Sequence, residues 1–388
     1  MSRVLSVDEI KRILIRYHQE KGFKIFKSFP LMSGDPTVMF TNATITPFKR
    51  WFTDVESKPE NYAFIQKCFR MGRKDEIEFV GRNPYYFTFF EMFGSGIFTS
   101  NYSVAVRYLL DLLEILDLEA ERTFFTVPTG EFGEVLLANR VDSSRIFSLK
   151  KNDHFWQEWR FGKLGAVGKG VTVIYSHSHG KVTSIQQMID GQDRFIELLN
   201  LIYLYGQETG YDGIVPIANP GFDLGVGVER LAAAIQGCNG YEIDTLKPLT
   251  NIVGNFIGFS NIEDVRIISD HLRAILILAE EGVSPSNKRE GYVMRKLIRR
   301  FLEITWIAVQ KTIRVDGLIN DFGQQMLRDG TITRETAIKD LVNREAYALR
   351  EIMRRAVTTL KNKTFPPEYL WDTYGISLKL MILSEKGD

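Results

Sequence analysis

The chain has 388 residues, 44% hydrophobic and 25% charged, with a formal net charge of +1 at pH 7, which excludes a disordered chain and a wholesale polybasic nucleic-acid binder. Two distant cysteines, Cys68 and Cys238, exclude a disulfide scaffold and a cysteine-built zinc site, and they point to a reducing compartment. The start MSRVLSVDEI lacks a signal-type apolar core and no apolar run could span a bilayer, so the expectation is a cytoplasmic protein of two or three packed units with no membrane partner.

In chain order, Ser6 followed by Glu9 predicts a capping box for a first helix, with Ile10, Ile13, Leu14 and Tyr17 on one face and Gly22 ending it. From about Phe23 to Gly96 the pattern is extended, with apolar stretches separated by Gly, Pro, Asn and Asp turns. Val104 to Leu116 repeats at helical spacing. Thr123 to Pro128, Val171 to Ser176 and Phe195 to Gly206 read as strands, the last apolar on both faces as a central strand would be. Asp223 to Val226 reads as a short strand running into a helix near Glu229. After about Gly240 helical periodicity dominates Val265 to Glu281, Lys288 to Ile313 and Thr333 to Asn362. The predicted fold is therefore α+β with an antiparallel sheet over residues 1–240, followed by an α-helical domain over 241–388.

Several residues stand out against this background. Glu91 lies in the middle of an apolar strand, Phe87 to Gly96, where a carboxylate either finds a partner or faces water at an edge. Asn200 is a polar group inside the long strand and needs a hydrogen-bond partner. Gly225 and Gly227 precede Arg230 at a strand-to-helix junction, which lets the backbone approach a nucleotide, though a packed turn reads the same way. Asp223 is either a turn aspartate after Pro220 and Gly221 or a functional carboxylate. Arg70 and Lys74 sit in a charged loop, where such residues are usually solvated. His177 and His179 have zinc-like spacing but no nearby Cys or acidic partner, so they read as structural or surface residues. Lys288 to Arg300 holds six basic residues against Glu290, with Val293, Leu297 and Phe301 on an inward stripe.

Four segments occur in a fixed order: FTNATITPFK, FTFFEMFGSG, DLGVGVERLAAAIQ and SPSNKREGYVMRKLIRR. With LWDTYG at Leu370 to Gly375, they make the chain resemble the catalytic and tRNA-recognition regions of the alanyl-tRNA synthetases, a class II family, without the editing and C-terminal regions. The resemblance implies a ligase that uses ATP with Mg2+ to form an aminoacyl-adenylate and transfers the amino acid, alanine first, to the acceptor stem of tRNA-Ala. It assigns Arg70, Lys74 and Arg230 to catalysis. It places Arg70, Phe89, Glu91, Gly225, Gly227 and Arg230 around ATP, Phe90 also being a plausible adenine neighbour. Trp156, Asn200 and Asp223 would surround the amino acid, and Asn287, Arg295, Arg299 and Asp372 would meet tRNA, with no metal ligand built from the chain. An amide plus a carboxylate, Asn287 and Asp372, suits the shallow minor groove of A-form RNA.

The match is uneven. Thr44 to Pro47 replace the usual centre of the first motif, Tyr86 and Phe87 replace paired histidines, and Thr172 replaces a glutamate after an altered loop. Apolar pockets separate small side chains by only about 1–3 kcal/mol, so an enzyme on this plan without editing tolerates errors and suits a specialised biosynthetic role. Two other readings stay open: an adenylate-forming ligase with a non-tRNA acceptor, and a catalytically silent tRNA-binding paralogue. Oligomeric state is not set by the sequence.

Overall fold

Ser6 opens the first helix because its hydroxyl accepts the Glu9 N–H at 3.3 Å while the Glu9 carboxylate accepts the Ser6 N–H at 3.0 Å. The helix, α1 (Val7–Glu20), buries Ile10 and Leu14 completely and ends at Lys21, where Gly22 takes a φ of +81° that only glycine adopts without strain. The computed structural model describes residues 4–35, 38–71, 76–128, 130–149, 159–160, 165–191, 193–209, 213–335, 337–360 and 376–385. Lys74, Trp156 and Asp372 lie outside the described residues.

Next along the chain come β1 (Lys24–Ile25), α2 (Lys49–Thr53), β2 (Tyr62–Phe69), α3 (Glu76–Phe79), β3 (Phe89–Ile97) and α4 (Tyr102–Ile115). They are followed by β4 (Thr123–Pro128), α5 (Glu131–Ala138), β5 (Ile146–Leu149), β6 (Trp159–Arg160), β7 (Ala166–Ser176) and α6 (Ile185–Asp190). Two 14-residue strands, β8 (Phe195–Glu208) and β9 (Ile214–Gly227), lead into α7 (Val228–Gln236). The nine strands form one sheet in the order β1-β2-β3-β9-β8-β7-β4-β5, with β6 beside β7. The pairs from β3 through β9, β8 and β7 to β4 are antiparallel, and the outer pairs β1–β2 and β4–β5 are parallel. This is the expected α+β class. Between Phe23 and Gly96 the extended pattern is interrupted by the short helices α2 and α3.

Strand β9 is longer than the four residues its sequence suggests. Pro220 and Gly221 read as turn signals, yet they lie inside the strand. The register jumps from Leu204↔Gly221 to Gly206↔Pro216, so Pro220 falls where the ladder is interrupted and its missing N–H is not called on.

The chain divides into two compact units: residues 1–70, 83–85 and 90–244, and residues 71–82, 86–89 and 245–388. In the first, one sheet face carries two apolar clusters. Phe48, Phe52, Tyr62, Phe64, Ile202 and Leu204 form one, and Phe124, Ile174, Val182, Met188 and Phe195 form the other. The opposite face packs on α1, where His18 meets Phe93 with ring centroids 4.7 Å apart. The second unit contains α8 (Lys247–Ile257), α9 (Ile262–Glu280), α10 (Arg289–Val309), α11 (Asp316–Arg328), α12 (Ile338–Leu360) and α13 (Leu378–Glu385). Nearly every residue of α9 from Ile267 to Leu278 is buried, which makes it the axis of that unit. No described helix is long and apolar enough to cross a membrane.

Candidate active site

Strand register sets Gly94, Gly225, Asn200, Thr172 and Thr126 side by side on β3, β9, β8, β7 and β4. Residues opposed across a ladder share a face, so these five form a strip of small and polar groups between the two apolar clusters. A methyl group at Gly94 would run into the Thr44 side chain, so glycine there lets the segment after β1 lie directly on the sheet.

Asp223 lies two residues along β9 from Gly225 and on the same face. It is 5% exposed, and among the described residues its Oδ1 has no hydrogen-bond partner; the nearby Tyr62 hydroxyl is equally unpartnered among them. Burial pushes the Asp223 carboxyl up to about 7, and burial together with the Asp223 charge raises the Tyr62 phenol well above its ordinary value. An unpaired buried carboxylate is expensive, and either a proton or an incoming cation relieves it.

Asn200 is fixed at the start of a polar chain. The Thr172 hydroxyl donates to Asn200 Oδ1 at 2.6 Å, and Asn200 Nδ2 donates to Glu197 Oε1 at 2.9 Å. Arg230 closes the chain: Nη1 donates to the Glu197 carbonyl at 3.2 Å and lies 3.5 Å from Glu197 Oε2, while Nε donates to the Tyr85 carbonyl at 3.0 Å. Residues three apart on a regular strand face opposite sides. Here the register slips between Val173↔Leu199 and Ile174↔Glu197, and this bulge brings Glu197 onto the face of Asn200. Sequence reasoning missed Glu197, although a carboxylate in the apolar run FIELLN was a signal.

Arg70, at the end of β2, donates from Nε to the Asn42 carbonyl at 3.0 Å and holds its guanidinium 5.0 Å from the Phe90 ring centroid. The other two residues expected beside it are placed differently. Glu91 alternates with Phe90, so its side chain turns to the α1 face and ion-pairs with Lys11, while its N–H is taken by the Glu229 carboxylate just beyond the last β9 residue. Phe89 is 1% exposed, with the Arg273 guanidinium 4.6 Å from its ring centroid and Arg273 Nη1 donating to its carbonyl at 2.9 Å. Of the Phe pair, Phe90 is the ring that accompanies Arg70.

In the helical unit, Arg295 and Arg299 of α10 each reach the same carboxylate, Glu345 of α12, at 3.0 and 3.2 Å, and Arg295 also donates to Asn287 Oδ1. Asn287, Lys288 and Arg289 are exposed. His177 stacks on Tyr85 at 5.9 Å and is held below the ordinary histidine value by burial and then by Arg122, and His179 lies 3.4 Å from Glu119. Neither belongs to a metal cluster among the described residues.

The sequence model of the tRNA synthetases class II (A) matches residues 9–382. The chain belongs to that family. Among curated relatives of this class II synthetase, the alanine–tRNA ligase of Idiomarina loihiensis is 30% identical over 399 residues, covering 96% of this chain and 45% of the ligase. The alanine–tRNA ligase of Legionella pneumophila is 30% identical over 417 residues, covering 98% of this chain and 47% of the ligase. The chain thus spans a little under half the length of the curated relatives it matches. Among solved structures, the histidyl-tRNA synthetase of S. aureus aligns over 67% of this chain and 80% of its own, with 13% identity and a TM-score of 0.37.

Proposed function

We propose that this class II synthetase activates an amino acid, alanine first, with ATP and transfers it to the acceptor end of tRNA, tRNA-Ala by resemblance. The observation that carries the reading is Asp223, a buried carboxylate on the polar strip of the sheet whose Oδ1 has no partner among the described residues. An α-ammonium group is the cation such a carboxylate suits, and Asn200, already oriented by Thr172 and Glu197, offers a fixed amide beside it.

In the first step the substrate's carboxylate oxygen bonds to the α-phosphorus of ATP and the bond from that phosphorus to the pyrophosphate oxygen breaks. The chain's part is to gather anions and hold them in line. Arg70 and Arg230 supply bidentate donors for phosphate oxygens, Phe90 supplies a flat apolar surface for the adenine, and Gly225 and Gly227 admit the nucleotide close to the backbone. Lys74 is assigned to the same phosphates and Trp156 to the wall that limits side-chain size. No group of three metal-ligating side chains stands together among the described residues. Magnesium is assigned to the triphosphate, as part of the substrate. In the second step a terminal ribose hydroxyl of tRNA attacks the adenylate carbonyl, AMP leaves and the hydroxyl proton is lost. Asn287 and Asp372 are assigned to the acceptor stem, and the reaction to the cytoplasm.

Amino-acid-dependent ATP–pyrophosphate exchange across the twenty amino acids tests this, with Asp223→Ala alongside. Exchange with alanine or another small amino acid, reduced roughly 10²- to 10³-fold in kcat/KM by the substitution, is the expected result. Absence of exchange with every amino acid, with and without tRNA, overturns it. Exchange without charging of any tRNA would keep the adenylation step and move the acceptor to a carrier protein or a small molecule.

A further inference from the structure

Tyr62, on β2, belongs to the first apolar cluster, its ring stacked on Phe48 at 3.8 Å and edge-on to Trp51 at 5.7 Å. The ring reaches over the neighbouring strand β3 at Gly96. A methyl group at Gly96 would run into Cε1 and Cζ, the end of the ring that carries the hydroxyl. Gly96 is paired with Asp223 across the β3–β9 ladder, and residues so opposed point their Cβ atoms to one face about 5 Å apart. The phenol therefore ends beside the Asp223 carboxylate.

Among the described residues neither Tyr62 Oη nor Asp223 Oδ1 has a hydrogen-bond partner, so the two do not bond to each other either. Burial, and then the Asp223 charge, keep the phenol protonated. In a cluster that otherwise uses Phe48, Phe52 and Phe64, a phenylalanine would fill the place of Tyr62 without burying an unpaired hydroxyl. Tyr108 and Thr126 also carry buried hydroxyls without a described partner; Tyr62 differs in lying beside a carboxylate oxygen in the same condition. A hydroxyl accepts and donates at once, so an ammonium seated between the two atoms donates to each, and the phenol hydrogen is free to turn to the carboxylate. We propose that Tyr62 is a second binding residue for the amino acid, its Oη accepting one N–H of the ammonium that Asp223 holds, with Gly96 the gap that lets the phenol reach it. The inference rests on Asp223 holding that ammonium.

Tyr62→Phe in the full chain separates this role from a structural one, because the two predict opposite signs. The substitution keeps the ring and removes the unpaired hydroxyl, so the ligand-free thermal midpoint should rise by about 2 °C. In ATP–pyrophosphate exchange the amino-acid KM should rise about tenfold, with kcat and the ATP KM held within about twofold. The upward shift of the midpoint that a fixed concentration of the amino acid gives the wild type should shrink in the variant, which reads binding without catalysis. An amino-acid KM that stays at the wild-type value in Tyr62→Phe, while Asp223→Ala raises it, overturns the Tyr62 contact and leaves the reading of Asp223 standing. A lowered ligand-free midpoint, with kcat and both KM values changed together, makes the hydroxyl a structural group and overturns the contact as well. Exchange that neither substitution alters overturns both readings.

Discussion

Two carboxylates in this molecule are buried to nearly the same depth and treated in opposite ways. Glu345, in the helical unit, is 8% exposed and spends each oxygen on an arginine; Asp223, in the sheet unit, is 5% exposed and leaves Oδ1 with no partner among the described residues. A satisfied buried charge fixes geometry, whereas an unsatisfied one is a standing cost that a proton or a ligand relieves. The contrast separates a carboxylate that holds two arginines from one to which the proposed function gives the substrate's ammonium.

The largest expected effect follows from Asp223. Its carboxyl is raised from 3.8 to about 7 in the folded chain, so the fold keeps a proton that the unfolded chain releases. Stability is therefore fully retained below about pH 4 and falls as pH rises to about 7, a loss on the order of 4 kcal/mol for the ligand-free protein. Asp223→Asn should be more stable than the parent by about that much in urea unfolding at pH 8, with the gain vanishing near pH 4. Equal stabilities at both pH values would mean that the carboxylate is not isolated. Substrate affinity should show the mirror image, weakening about tenfold per pH unit below 7 as Asp223 takes up its proton.

Glu345→Gln should move the other way. It leaves two guanidinium groups without their counter-charge, but both side chains reach solvent, so a loss of about 1–2 kcal/mol is expected in the same urea experiment, and salt should offset part of it. A gain in stability would erase the contrast with Asp223.

Glu197 belongs to the first kind of carboxylate within the second kind of site, since it holds both Arg230 and Asn200. Glu197→Gln keeps an acceptor but removes the charge opposite Arg230. Because the side chain is 38% exposed, an effect of roughly tenfold on the kcat/KM of exchange is expected, carried by the KM values for ATP and amino acid together. A change in one KM alone would show that the two ends of the chain are not coupled.

The elements were more legible than the site. The capping box at Ser6, the long strand through Asn200 and the helix after Gly227 follow from local patterns that the tertiary structure does not oppose. The departures each have a tertiary cause. Alternation assigns Glu197 and Asn200 to opposite faces, and only the bulge at Val173/Ile174 unites them. Glu91 was expected beside ATP, but Lys11 of α1, distant in sequence, claims its side chain. Phe89 and Phe90 are equivalent in sequence, and it is Arg273, far along the chain, that covers the first. Asp223 could not be told from a turn residue by local pattern, because its significance is that its buried Oδ1 has no partner among the described residues.

Thr172 gives the smallest effect and the finest test of the polar strip. It stands where the resemblance places a glutamate, and its hydroxyl donates to Asn200 Oδ1 at 2.6 Å, so it fixes which end of that amide points along the strip. Thr172→Val keeps the shape and removes the donor, at an expected cost of about 1 kcal/mol, or roughly fivefold in amino-acid KM, with the ATP KM unmoved. Thr172→Ser should restore most of the loss, because the hydroxyl returns on the same strand face. If valine and serine behave alike, Asn200 is held by Glu197 alone, and the strip's contribution to the amino-acid end stops at β8.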